Sequence, residues 1–136
     1  MTFTVNGQLL NNRYFNNALF SVTNKLYSWG QDGYGQLGNN STINKASPIQ
    51  VGTGTNWSSI IAGRSSASST KTDGSLWSWG ANNAGQLGLG NITSYSSPKQ
   101  VGSLTNWSIV SQQQLGTVSI KTDGTLWSWG RNSYGQ

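Results

Sequence analysis

A pattern that returns every 50 residues, with no insertion or deletion, constrains this chain more than any other feature of it. Trp29-Gly30 recurs as Trp79-Gly80 and Trp129-Gly130, and Gly35-Gln36-Leu37-Gly38 recurs as Gly85-Gln86-Leu87-Gly88. Ser47-Pro48, Gln50-Val51-Gly52 and Thr55-Asn56-Trp57 return as Ser97-Pro98, Gln100-Val101-Gly102 and Thr105-Asn106-Trp107, and Lys71-Thr72-Asp73-Gly74 as Lys121-Thr122-Asp123-Gly124. So many matches in one register exclude chance. A unit of this length cannot bury its apolar surface alone, so the copies must cover one another.

Within the unit the pattern is that of short strands. Trp57 to Ala62 and Trp107 to Ser111 read as one strand, followed by Ala67 to Lys71 and Thr117 to Lys121, where Val118 and Ile120 alternate with polar neighbours. Thr72-Asp73-Gly74 and Thr122-Asp123-Gly124 form tight turns, because Gly accepts positive φ cheaply and Asp bonds nearby backbone. Leu76 to Trp79 and Leu126 to Trp129 close each hairpin. In the first copy Val22-Thr23-Asn24 takes the turn position and Tyr27 stands where Trp77 and Trp127 stand later. A last strand is expected at Ile49 to Val51 and Lys99 to Val101, with Pro48 and Pro98 marking its start. The expected fold is all-β: β-propeller blades of four antiparallel strands, each covered by its neighbours.

Composition agrees. The 18 Gly and 7 Trp, set among many Asn, Ser and Thr, suit tightly turned strands and suit long helices poorly. There is no Cys and no His, and the acids number 3, so disulfides, thiolate chemistry and the usual acid-base and metal constellations have almost no residues to work with. No catalytic residue, metal or cofactor is assigned. Asp73 and Asp123 sit before Gly in equivalent turns, which makes them turn formers rather than catalytic carboxylates. The net charge of +5 is spread from Arg13 to Arg131 without a basic run, an argument against nucleic acid as a partner. No apolar run is long enough to span a bilayer as a helix, and Met1 to Val5 lacks the character of a signal peptide.

The units closely resemble the repeat of the regulator of chromosome condensation family. The resemblance lies in Leu76-Trp77-Ser78-Trp79-Gly80, Asn83-Ala84-Gly85-Gln86-Leu87-Gly88, Ser97-Pro98 and Lys121 to Trp127, and it covers about residues 17 to 136. It implies a propeller, usually of seven blades, used to dock other macromolecules. The founding members' association with chromatin and with nucleotide exchange on a small GTPase does not carry over. The histidine that the family often has after its alanine-glycine element is Ser66 here and Gly116 in the later copy, where Gln112-Gln113 also replaces Ala62-Gly63. The Trp-Ser-Trp-Gly form, rich in Asn and Ser, also looks like repeat proteins of marine bacteriophages, which implies a virion or tail-associated role.

Two full periods and 36 further residues fall short of a closed ring. The expectation is therefore an incomplete propeller: a piece of a longer repeat protein, several copies sharing one ring, or an open edge covered by another protein. Residues 1-19 read as an attachment or capping segment and 20-136 as the repeat region. Trp29, Gly30, Trp57, Asp73, Gly74, Trp77, Trp79, Gly80, Trp107, Asp123, Gly124, Trp127, Trp129 and Gly130 are assigned to the repeat scaffold, since their fixed register favours packing over ligand stacking. Tyr34, Asn39, Asn40, Arg64, Asn91 and Tyr134 form the candidate interface. The function expected is a non-catalytic structural and protein-interaction scaffold, virion-associated or otherwise soluble, with virion or tail subunits or further copies of itself as partners. The alternative is a module that binds carbohydrate, such as a surface glycan on a host.

Overall fold

Asp73-Gly74 and Asp123-Gly124 set the local geometry of two equivalent hairpin turns. The computed structural model describes residues 24–135, and before them the backbone of four two-residue strands, β1 (Thr4–Val5), β2 (Gln8–Leu9), β3 (Tyr14–Phe15) and β4 (Ala18–Leu19). β1 pairs with β2 and β3 with β4, antiparallel in both cases. The assignment of residues 1-19 to attachment or capping otherwise lies outside the described residues, as do Val22 and Thr23 of the first expected turn. Asn24 makes a parallel bridge with Asn56.

The repeat region follows as three antiparallel sheets. The first holds β5 (Tyr27–Gly30) and β6 (Lys45–Gln50). The second holds β7 (Ile61–Ala62), β8 (Ser66–Thr70), β9 (Leu76–Gly80) and β10 (Tyr95–Gln100) in the order β10-β9-β8-β7. The third holds β11 (Trp107–Gln112), β12 (Gly116–Lys121) and β13 (Leu126–Gly130), in sequence order. The second sheet thus has the four strands expected of each unit, and the third has three of them.

The hairpin turns form as their residues dictate. Gly74, at φ +79°, donates its N–H to the Lys71 carbonyl at 2.9 Å, while Asp73 Oδ1 accepts from the N–H and the hydroxyl of Ser75 at 2.9 and 2.6 Å. Gly124, Asp123 and Thr125 repeat this arrangement at 3.0, 2.9 and 2.7 Å. Two strand boundaries differ from expectation. Ile61 and Ala62 alone form β7, with Trp57 reaching Lys71 through an isolated bridge, because the N–H groups of Ser58 and Ser59 both point to the Thr70 carbonyl and interrupt the regular ladder. Pro48 and Pro98 lie inside β6 and β10, not at their starts. Both occur where the pairing register shifts, on strands that pair on one side only, so their missing N–H leaves no ladder bond broken.

Each sheet has a face toward the preceding unit and a face toward the following one. In the second sheet Leu76 sits opposite Thr70, and Ser78 opposite Ser68, on the following side. Leu76 joins Val101 and Trp107 in a buried cluster, with Leu89, Val110 and Trp129 packed around it. On the other side Val51, Trp57, Ala67 and Trp79 form a second cluster with Leu26 and Trp77. Both clusters combine residues of successive units, so the core of this region lies between sheets.

Candidate functional site: unit-to-unit contacts and an uncovered sheet face

Three of the contacts that join successive units stand out, and two of these occur twice. In the first, an indole reaches back to the preceding glycine loop: Trp79 donates its Nε1–H to the Gln36 carbonyl at 2.9 Å, and Trp129 to the Gln86 carbonyl at 3.0 Å. The slot exists because Gly38 and Gly88 have no side chain, since a Cβ on either would stand 2.7 Å from the indole nitrogen. Their φ values of +70° and +71° favour glycine as well.

The second contact docks a hairpin turn. The Gly74 carbonyl accepts the Trp107 N–H at 3.0 Å, and the Asn24 carbonyl accepts the Trp57 N–H at 3.3 Å. A Cβ on Gly74 would run into the Thr105 carbonyl. The third contact occurs once: Gln112, buried in β11, donates to Ser66 Oγ at 2.9 Å and accepts from Ser68 Oγ at 3.1 Å across the gap between sheets.

Inside the second and third units a pair of tryptophans packs edge to face. Trp57 meets Trp77 at 6.3 Å and Trp107 meets Trp127 at 6.2 Å between ring centroids. A lysine caps each pair: Lys71 Nζ lies 3.9 Å from the Trp77 ring centre and 4.9 Å from that of Trp57, and Lys121 Nζ lies 3.6 and 4.9 Å from Trp127 and Trp107. Two hydrogen bonds from Ser75, through its hydroxyl and then its N–H, hold the Asp73 carboxyl below its ordinary pKa; burial opposes the shift and Lys71 adds a smaller push in the same direction. Thr125 lowers Asp123 in the same way. These aspartates and tryptophans are part of the folded framework. Lys71 and Lys121 were legible only as members of the repeat, and Gln112 only as a departure from it.

The two ends of the array differ from its middle. Leu76 is 0% exposed beneath the third unit, while Leu126, its counterpart, is 69% exposed. Ile109, Ile120 and Leu126 lie side by side across β11, β12 and β13, and Val118 stands one row away on the same face. All four side chains are exposed. The alternation seen at Val118 and Ile120 is real, but the face that the second unit covers is the polar one of Thr117, Ser119 and Lys121. At the other end Trp29 is exposed, unlike Trp79.

The candidate interface residues lie on the loops that follow β5, β9 and β13 and on the turn between β7 and β8. Tyr34 and Tyr134 are exposed at equivalent places on separate loops, with the Arg131 guanidinium 5.8 Å from the Tyr134 ring centre. Arg64 is exposed on the turn between β7 and β8. Asn39 and Asn91 use their side-chain oxygens to accept the N–H groups of Ser41 and Thr93 and so shape their loops, while Asn40 donates its N–H to the Ser96 carbonyl of the next unit at 2.7 Å. Among the described residues, no three His, Cys, Asp or Glu side chains cluster to hold a metal, and no helix is long and apolar enough to cross a membrane. The arrangement has the chemistry of a packing surface.

These features define a class: an all-β tandem repeat whose antiparallel sheets bury their faces against one another. The Regulator of chromosome condensation (RCC1) repeat matches residues 23–67 and 73–113, and a second description of the same repeat matches 117–136. The chain belongs to this repeat family. No curated protein sequence matches it. Among solved structures, human WBSCR16 superposes with a TM-score of 0.68 at 22% identity, covering 79% of this chain and 29% of that one. Yeast RCC1 (Prp20), in its complex with Kap60, gives 0.68 at 20%, covering 97% and 37%. Prp20p from Saccharomyces cerevisiae, whose structure is described with its binding to Gsp1p and histones, gives 0.66 at 20%, covering 97% and 38%. The likeness is one of fold, and the chain spans about a third of the length of these structures.

Proposed function

We propose that the chain is a non-catalytic scaffold, built as part of a β-propeller, that docks a protein partner through the following face of its third sheet. The observation that carries this reading is the contrast between Leu76, fully covered, and Leu126, 69% exposed in the same register. A row of Ile109, Ile120 and Leu126 facing water costs solubility unless something covers it. The surface that covers Leu76 shows what fits: a sheet edge presenting an indole as Trp107 does, with a carbonyl or N–H beside it for the turn. What covers this face is accordingly a further unit of this kind, carried by a continuation of the same chain, by another copy or by a related subunit. A bacteriophage particle as the setting is proposed from the Trp-Ser-Trp-Gly form of the repeat alone, and residues 1-19 are proposed as the attachment segment. The carbohydrate reading rests on exposed Tyr34 and is tested by whether Tyr34→Ala removes glycan binding without unfolding the chain.

The test of the scaffold reading is the mass of the native assembly and the identity of its subunits, compared with an Ile120→Glu, Leu126→Glu variant. Two carboxylates in the centre of the patch should release the partner and leave the far-ultraviolet spectrum unchanged. An assembly of unaltered mass in the variant would show that this face docks nothing.

A further inference from the structure

Asp32 is fully buried, and its Oδ2 has no hydrogen-bond partner. The second copy shows what this position ordinarily does. Asn82, also 0% exposed, accepts the Leu87 N–H on Oδ1 at 3.0 Å and donates from Nδ2 to the carbonyls of Asn91 and Thr93 at 2.9 and 3.0 Å. The first loop has the same build. Asp32 Oδ1 accepts the Leu37 N–H at 2.9 Å, and the Asp32 N–H goes to Asn44 Oδ1 as the Asn82 N–H goes to Ser94 Oγ. What differs at this position is that an oxygen stands where an NH2 bound two carbonyl oxygens. By the repeat correspondence those oxygens belong to Ser41 and Ile43. An oxygen in that place cannot hydrogen-bond a carbonyl oxygen, and a buried carboxyl oxygen left without a partner is costly unless compensated.

We infer that the first loop is a cation site, in which a hard metal ion such as Ca2+ or Na+ takes the place of the Asn82 amide hydrogens. Its protein ligands are Asp32 Oδ2 and the carbonyl oxygens of Ser41 and Ile43, a donor set of the kind such ions prefer. One carboxylate is enough, so the absence of an acidic cluster among the described residues does not count against it. Ile43 is 68% exposed and Ser41 half-buried, so the turn opens to solvent, and water completes the coordination. With a single charged ligand the affinity is weak, on the order of millimolar.

Calorimetric titration with CaCl2, and thermal unfolding in CaCl2, NaCl or choline chloride at equal ionic strength, test the site in three proteins. The wild type should bind one cation, and at tenfold its dissociation constant its unfolding midpoint should rise by about 3–6 °C. Whether Ca2+ alone or Na+ also acts identifies the ion. Asp32→Asn, which restores the amide, should fold and lose the response, and Asn82→Asp should gain a second one. A wild type indifferent to both cations, or a response that survives Asp32→Asn, overturns the inference. Stabilisation by Asp32→Asn with no cation effect in the wild type would overturn it as well.

Discussion

Leu76 and Leu126 form a matched pair that isolates the value of a neighbouring unit. They occupy the same place in the repeat, on β9 and β13, opposite Thr70 and Ile120. They differ in cover, 0% against 69% exposed. Leu→Ala at a fully buried site loses the transfer energy of the side chain and leaves a cavity, together about 2–5 kcal/mol. The cluster around Leu76 includes the two rings Trp107 and Trp129, which cannot collapse into the space, so a value of about 3 kcal/mol is expected. Leu126→Ala removes a side chain already mostly in water and should cost less than about 1 kcal/mol. The difference of about 2 kcal/mol corresponds to a roughly 30-fold change in the ratio of folded to unfolded chain. Urea unfolding of the wild type and both variants, followed by tryptophan fluorescence at concentrations where the chain is monomeric, measures it. Equal costs would refute the argument, because identical positions would then be identically covered.

The other contacts predict effects of their own. Gly74→Ala and Gly124→Ala share a left-handed backbone and its penalty of about 1 kcal/mol, but only Gly74→Ala meets the Thr105 carbonyl, so it should be the costlier of the two in the same urea assay. Gln112→Ala leaves the buried hydroxyls of Ser66 and Ser68 without that partner and should cost about 1–3 kcal/mol, whereas Ala at the exposed neighbour Gln113 should leave the unfolding midpoint within error. Asp73 and Asp123 have lowered pKa values in the fold, so the stability they contribute is complete above the ordinary carboxylate value of 3.8 and is lost as pH falls through the lowered ones. An Asp73→Asn, Asp123→Asn variant should therefore lose less stability than the wild type between about pH 5 and pH 2, and parallel pH curves would contradict this.

Much of this architecture was legible in the sequence because repetition exposes it. The 50-residue register identified the hairpins, and Asp-Gly at 73–74 and 123–124 identified their turns by known chemistry. Strand ends were less legible: Pro48 and Pro98 suggested starts, but register shifts on strands paired on one side accommodate them internally. Spacing also shows which residues share a face without showing which face is covered. Val118 and Ile120 have the pattern of a core and point to water, because cover comes from the next unit and not from the strand's own sequence. Gln112 and Asp32 stood out only as departures from the repeat, and their meaning needed coordinates: one spans two sheets, and the other places an oxygen where its counterpart places an amide.

Hydrogen exchange at the seven tryptophan indoles, resolved by nuclear magnetic resonance, tests the stacking of successive units most directly. The Nε1–H groups of Trp79 and Trp129, bonded to carbonyls 43 residues away in the preceding unit, should exchange slowly, and that of Trp29, exposed at the outer face, should exchange at nearly the rate of a free indole. Fast exchange at Trp79 and Trp129 alike would mean that the sheets do not stack as described.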